Sequence, residues 1–275
     1  MVGTMNHKKR MAVTAVFAAL ACAAMLTFGI CAAAPEAHAA TTPLGAGTQA
    51  APTSVNTAAA GKQIWVVSKV TSASSDDEAL TFKYAYTKQG LLKKITNVTY
   101  KEANTFAYDA RNRFKSMNFY GWKTAFTCDK KGRVSKTKDK KPVKYTYDAK
   151  GYLKKYVSTA QTSTYTYDKK GRLAKLVMQG YATQGYRDVY KYTYDEFGQL
   201  KSVKGAEKAT IQNTYDESGR LAMQTVKSGG SETILTYSYK RVTVPKKLVK
   251  QVKAQQKSVY LEQVFSGVPI EAAYK

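Results

Sequence analysis

The sequence predicts an all-β fold, an antiparallel meander of about seven repeated β-hairpins that curls into an open sheet or β-spiral, followed by a short C-terminal basic helix. Three observations predict it. A Tyr-x-Tyr-Asp-x-x-Gly-x-Leu pattern recurs along the chain, its turn positions fall at near-constant intervals, and after Pro245 the apolar residues change to helical spacing.

The clearest copies begin at Tyr145, Tyr165 and Tyr192 and run to Leu153, Leu173 and Leu200. A fourth keeps Tyr215, Asp216, Gly219 and Leu221, and earlier ones drift: Phe126-Thr127-Cys128-Asp129 leads to Gly132, and Phe106-Ala107-Tyr108-Asp109 to Asn112. Tyr84-Ala85-Tyr86 leads to Gly90 with Thr87 in the Asp place, and Tyr237-Ser238-Tyr239 opens an incomplete last copy. The turn positions Gly90, Asn112, Gly132, Gly151, Gly171, Gly198 and Gly219 are 22, 20, 19, 20, 27 and 21 residues apart. Only a structural repeat has that regularity.

Each position has a physical reason. Tyr-x-Tyr alternates large β-formers with small polar residues, as a half-buried strand requires. Asp109, Asp129, Asp148, Asp168, Asp195 and Asp216 then open a type I turn, whose backbone N–H groups a carboxylate can accept, and the residue three places on takes positive φ in a G1-bulge hairpin. Asn112 is the non-glycine residue that best tolerates that conformation. Leu two places after the glycine and an apolar residue five places after it leave a one-residue slip in the period of two, so a bulge is expected there. About fourteen strands in one layer must curl, because open twisted sheets rarely exceed ~10 strands.

The repeat occupies the middle of the chain. Lys8, Lys9 and Arg10, an apolar run from Met11 to Ala34 and the Ala37-His38-Ala39 site read as a signal peptide over residues 1–39, or as an uncleaved membrane anchor. Residues 40–61, rich in Ala, Thr, Gly and Pro, read as a flexible spacer, and residues 62–245 as the β domain. Residues 246–275 are expected to cap the terminal sheet edge, with a basic helix from Lys246 to Lys257 and a strand from Val259 to Phe265. The alternative for that helix is polyanion binding.

Composition narrows the chemistry. Cleavage after Ala39 removes both histidines, Cys22 and Cys31, leaving Cys128 alone. No disulfide, no metal site, no cofactor site and no His-based catalytic set is then expected. The mature chain keeps 41 basic and 18 acidic residues, net +23, since the signal carries three basic residues and one acid. A field of that size favours anionic polymers.

The pattern quoted at Tyr145, Tyr165 and Tyr192 resembles the YD repeats of Rhs proteins, teneurins and toxin-complex shells, over about Phe82 to Tyr239. The resemblance implies a β-spiral strip of hairpins, which in large members winds into a hollow shell. The chain has no Asp-Pro pair, so the core motif that ends an Rhs shell is missing. Small members of this kind resemble secreted or surface proteins.

The functional expectation is a non-enzymatic, secreted or surface-exposed binding or scaffolding module for an anionic cell-wall polymer or glycan, with nonspecific nucleic-acid binding as a lesser partner. A carboxylate-dependent wall-glycan hydrolase and a purely structural repeat without a dedicated ligand are the alternatives. The six repeat aspartates are read as turn residues, and Glu102, Asp139, Asp188, Glu207 and Glu232 have no catalytic spacing. Candidate binding residues are Tyr181, Tyr186, Arg187 and Tyr190 in the long 27-residue interval, Tyr120 and Trp122 at a second aromatic tip, and Lys250 on the basic helix.

Overall fold

The computed structural model describes residues 61–75, 78–119, 121–181, 187–205, 210–228 and 230–261. The expected signal peptide, and all of the spacer but Gly61, lie outside them. Seven hairpins follow from the repeat: β2 (Leu80–Tyr86) with β3 (Leu92–Asn97), β4 (Glu102–Tyr108) with β5 (Phe114–Phe119), and β6 (Trp122–Cys128) with β7 (Val134–Thr137). Then come β8 (Lys144–Tyr147) with β9 (Leu153–Val157), β10 (Gln161–Tyr167) with β11 (Leu173–Gly180), β12 (Arg187–Tyr194) with β13 (Leu200–Lys204), and β14 (Thr210–Tyr215) with β15 (Leu221–Ser228). Two longer strands flank them, β1 (Lys62–Ser74) and β16 (Ser231–Val244).

Those flanking strands overturn the expected open sheet or spiral. Each strand pairs antiparallel with its neighbours in sequence, and β16 pairs with β1, so the sixteen strands form a closed barrel. The seam runs from Lys62 opposite Val244 to Ser74 opposite Thr233, the longest pairing among the described residues. A meander of seven hairpins would leave two rows of unpaired N–H and C=O groups, and closure removes both edges at once. β1 has neither Tyr-x-Tyr nor Asp-x-x-Gly, and its partner lies far away in sequence, so local spacing carries no sign of it.

The seam is also an eighth copy of the hairpin, split between the two ends of the barrel chain. In the contiguous copy β10–β11, Tyr167 lies opposite Leu173, Thr166 opposite Lys175 and Tyr165 opposite Leu176, with Ala174 the extra bulge residue. At the seam, Tyr239 lies opposite Val67, Ser238 opposite Lys69 and Tyr237 opposite Val70, with Ser68 as the extra residue. Tyr237-Ser238-Tyr239, incomplete in sequence, is completed by β1 in space.

One hydrophobic cluster receives side chains from all sixteen strands, among them Val70, Phe82, Phe114, Tyr145, Leu176, Tyr192, Val203 and Tyr237. Sixteen strands would ordinarily enclose a water-filled channel. Here Leu173, Leu176, Leu200, Val203 and Leu221 are fully shielded, so the packed side chains exclude water from the interior around them. Truncating one of them, as in Leu176→Ala, costs about 2–5 kcal/mol.

The Asp-x-x-Gly turns lie at one end of the barrel and the turns between hairpins at the other. β16 ends at the Asp-x-x-Gly end, where a 3₁₀ turn (Lys246–Leu248) leads into helix α1 (Val249–Leu261). Leu248, Gln251, Val252, Gln255 and Gln256 form the buried face, at helical spacing. The helix does not cover a sheet edge, because the closed barrel has none. It packs on the paired arm of β1 and β16 in a second small core with Ile64, Val66, Leu91 and Val244. Val259 to Leu261, expected to begin a terminal strand, belong to the helix, and residues 262–275 lie outside the described residues.

Candidate functional site

The turns are built alike. In one, Asp168 N–H donates to the Arg172 carbonyl at 2.8 Å and Gly171 N–H to the Asp168 carbonyl at 2.9 Å. The Asp168 carboxylate accepts Arg172 N–H at 2.8 Å and pairs with the Arg172 guanidinium at 2.7 Å. Asp109 with Arg113, Asp129 with Arg133 and Asp216 with Arg220 repeat this ion pair, while Asp148 and Asp195 accept the N–H of Tyr152 and Gln199. Partial burial pushes the carboxyls of Asp109, Asp168 and Asp216 up, but the backbone and guanidinium bonds from arginine outweigh it and hold them below the usual carboxylate range. Gly90, Gly132, Gly151, Gly171, Gly198 and Gly219 have positive φ, as does Asn112 at 61°. The six aspartates are thus occupied within their own turns.

The arginine after the turn glycine reaches the next repeat, a role that the sequence reading missed. Arg172 stacks over the Tyr194 ring at 4.2 Å and Arg133 over Tyr147 at 4.1 Å. Arg220 lies over both Trp65 and Tyr239, at the seam. Where Tyr152 replaces arginine, it stacks on Tyr167 with ring centroids 4.8 Å apart. The signal was legible as Asp-x-x-Gly-Arg at Asp129, Asp168 and Asp216, because an (i, i+4) Asp–Arg pair closes across such a turn.

The second tyrosine of each repeat is a clamp. Its hydroxyl donates to the carbonyl of the residue two places past the preceding turn glycine: Tyr108 to Leu92, Tyr147 to Val134, Tyr167 to Leu153, Tyr194 to Leu173, Tyr215 to Leu200 and Tyr239 to Leu221. Tyr86 makes the same bond to Val67 across the seam. The ladder between successive hairpins stops short of the turns, as between β11 and β12 at Lys175 and Lys191, and the phenol spans the gap. Burial raises the Tyr194 hydroxyl above its ordinary range, so it remains a donor. Cys128 stands in the eighth clamp position, with its thiol 3.9 Å from the Phe114 carbonyl. It lines a cleft of about 340 Å³ with Asp109, Arg113, Phe126 and Lys138.

The candidate binding residues are dispersed. Tyr181 is exposed, its N–H donates to the Ala160 carbonyl, and its hydroxyl bonds Thr162 Oγ1. Arg187 is exposed on β12 opposite Gln179, Tyr190 packs against the main core, and Tyr186 lies outside the described residues. Trp122 pairs with Phe119 at the start of β6, and Tyr120 lies outside the described residues. These two tips share one end of the barrel but are six strands apart, and Lys250 is exposed on α1 at the other end. No single site unites those of them that are described.

The outer surface is brought together by cations instead. A cleft of about 560 Å³ opens between the turns at Asp148 and Asp168, with Lys150, Lys154, Lys169 and Lys170 on its walls. Lysines also stand directly opposite each other on neighbouring strands: Lys69 and Lys83, Lys136 and Lys144, Lys175 and Lys191, Lys191 and Lys204. Like charges in that position destabilise a sheet by a few tenths of a kcal/mol each, less as salt rises. Among the described residues no cluster of three His, Cys, Asp or Glu side chains could hold a metal ion.

A closed ring of eight hairpin modules around a packed interior, most of them stapled to the next by a tyrosine hydroxyl and several also by a stacked arginine, defines a repeat scaffold. Residues 61–187, just under half of the chain, match the Teneurin YD-shell family model, and the repeats of this chain are similar to that family's YD repeats. The last turns, at Asp195 and Asp216, carry the same hydrogen bonds beyond the matched span. Similar solved structures include the crystal structures of TcdB2–TccC3 with and without its hypervariable C-terminal region, each 18% identical with a TM-score of 0.32 and covering 57% of this chain. A Tc holotoxin pore from Photorhabdus luminescens is 12% identical with a TM-score of 0.27 over 61% of this chain. The chain spans about a tenth of the length of those proteins, 10% and 11% respectively. A comparison with curated proteins finds no match.

Proposed function

We propose that this protein is an exported, non-enzymatic surface scaffold whose closed YD-repeat barrel presents a cationic exterior to anionic polymers outside the cell. The observation that carries the reading is the fate of the charges. Four of the six repeat aspartates are neutralised by arginine within their own turns, whereas lysines face outward in opposed pairs. With a formal net charge of +25 over the full sequence, the surface draws in polyanions over a Debye length of ~8 Å at physiological salt.

The test is a salt series with purified protein against heparin and long-chain inorganic polyphosphate, measured by calorimetry. Binding at low salt, with log affinity falling linearly against log salt, is the expected result. Absence of binding to either polymer at low salt overturns the reading.

A further inference from the structure

Resting on that reading, we propose that the outer face of β11, β12 and β13 is the docking row for a densely charged, base-free linear polymer, one with an anionic phosphate in every backbone unit. Lys175 lies opposite Lys191, and Lys191 opposite Lys204, on three adjacent strands. All three are exposed. Directly opposed residues have Cβ atoms about 4.5–5.5 Å apart, so the row roots three lysine side chains along roughly 10 Å, perpendicular to the strands. Among the described residues no acid interrupts it. The row continues through Thr210 to Lys227, which Glu232 neutralises at 2.8 Å.

Each lysine lies within one Debye length of its neighbour in the row, so the cations act on a ligand together, and a ligand with closely repeated charges meets all three. A glycan with one carboxylate per disaccharide cannot match that density. The outward neighbours of the row, Thr166, Val177, Val189, Thr193 and Ser202, include no aromatic ring on which a base could stack. Phe197, the exposed aromatic of that hairpin, sits on the turn beyond Tyr194. Charge spacing without stacking selects a bare phosphate polymer over single-stranded nucleic acid. The same row repels itself in the free protein, so its middle lysine weakens the fold while it strengthens binding.

The experiment compares Lys191→Gln with Lys123→Gln, an exposed β6 lysine opposite Asn118, in the full barrel. Lys191→Gln is expected to weaken long-chain polyphosphate binding about fivefold and to lower the salt slope by ~0.7, while Lys123→Gln changes affinity less than about twofold. Thermal stability without ligand should rise for Lys191→Gln alone. Glu232→Gln frees Lys227 and should tighten polyphosphate binding more than the charge-matched Glu102→Gln. Hyaluronan should bind more weakly than polyphosphate and respond equally to the two lysine variants. Equal losses for Lys191→Gln and Lys123→Gln, with wild-type binding intact, overturn the row and leave the general reading standing. Tighter binding of an oligothymidylate than of polyphosphate overturns the choice of ligand, and failure of the wild type to bind any polyanion overturns the proposed function itself.

Discussion

The Tyr86 hydroxyl donates to the Val67 carbonyl at 2.6 Å, and this bond joins the first repeat to a strand that no repeat announces. Its counterpart in the body of the barrel is the 2.7 Å bond from Tyr167 to Leu153. The same phenol that staples hairpin to hairpin thus staples the last module to the first. The ring closes because the seam reproduces the module's register, bulge and clamp.

Removing one clamp should loosen one junction. Tyr194→Phe keeps the ring under Arg172 but leaves the Leu173 carbonyl without its donor, and should cost about 1 kcal/mol in chemical denaturation. Unchanged stability would mean that water replaces the phenol at no cost.

Cys128→Tyr should have the opposite sign. Cys128 faces Val134 in the register of the other clamps, beside a cleft large enough for a phenol ring. The substitution supplies a donor for the Phe114 carbonyl and a ring for Arg113, and a gain of about 1 kcal/mol is expected in thermal unfolding. A loss would show that the cleft cannot admit the ring.

The helix should behave as a latch held by glutamines. Gln256 Oε1 accepts the Val67 N–H at 2.7 Å, and Gln255 Oε1 accepts that of Leu92 at 3.0 Å. Gln256→Ala leaves a buried N–H unpaired and should cost about 1–3 kcal/mol. Hydrogen exchange at Val67 should quicken, while that at Leu176 should not.

Gly171 and Gly230 separate strain from contact. Gly171 has φ of +77°, and a Cβ there would fall on the Tyr152 hydroxyl. Gly171→Val therefore combines a left-handed backbone with displacement of Tyr152 from Tyr167, and should cost more than ~1 kcal/mol. Gly230 has φ of +88° and open space around it, so Gly230→Asn should be nearly neutral.

Acid should unlock the turns in a defined direction. Asp109, Asp168 and Asp216 have carboxyl groups held below their unfolded range, so their contribution is complete above about pH 4 and is lost as pH falls through the depressed folded values. Melting temperature should be flat from pH 7 to 5 and fall below pH 4. The difference between wild type and Asp168→Asn should shrink over the same acidic window; a constant difference would mean that the carboxylate charge contributes nothing.

The local elements were determined by the sequence alone, because their causes are local. Tyr-x-Tyr alternation sets a half-buried strand, Asp and Gly three apart set a turn, and Asn112 takes positive φ by its own chemistry. Pro245 followed by apolar residues at helical spacing marks a helix. The tertiary structure decided what depends on distant partners. Nothing in Lys62 to Ser74 marks it as the missing half of the repeat at Tyr237, since that role lies in backbone groups from the two ends of the barrel finding each other. The helix latch was equally hidden, because Gln251, Gln255 and Gln256 read as polar until the N–H groups they satisfy are in place. The lysines were visible as net charge, but which of them stand opposite one another follows from register, and register is set by bulges that shift each hairpin by one residue. Charge is additive along a chain, and so it can be read from composition; a charged row is a property of strands side by side, and only the closed barrel puts Lys175, Lys191 and Lys204 in line.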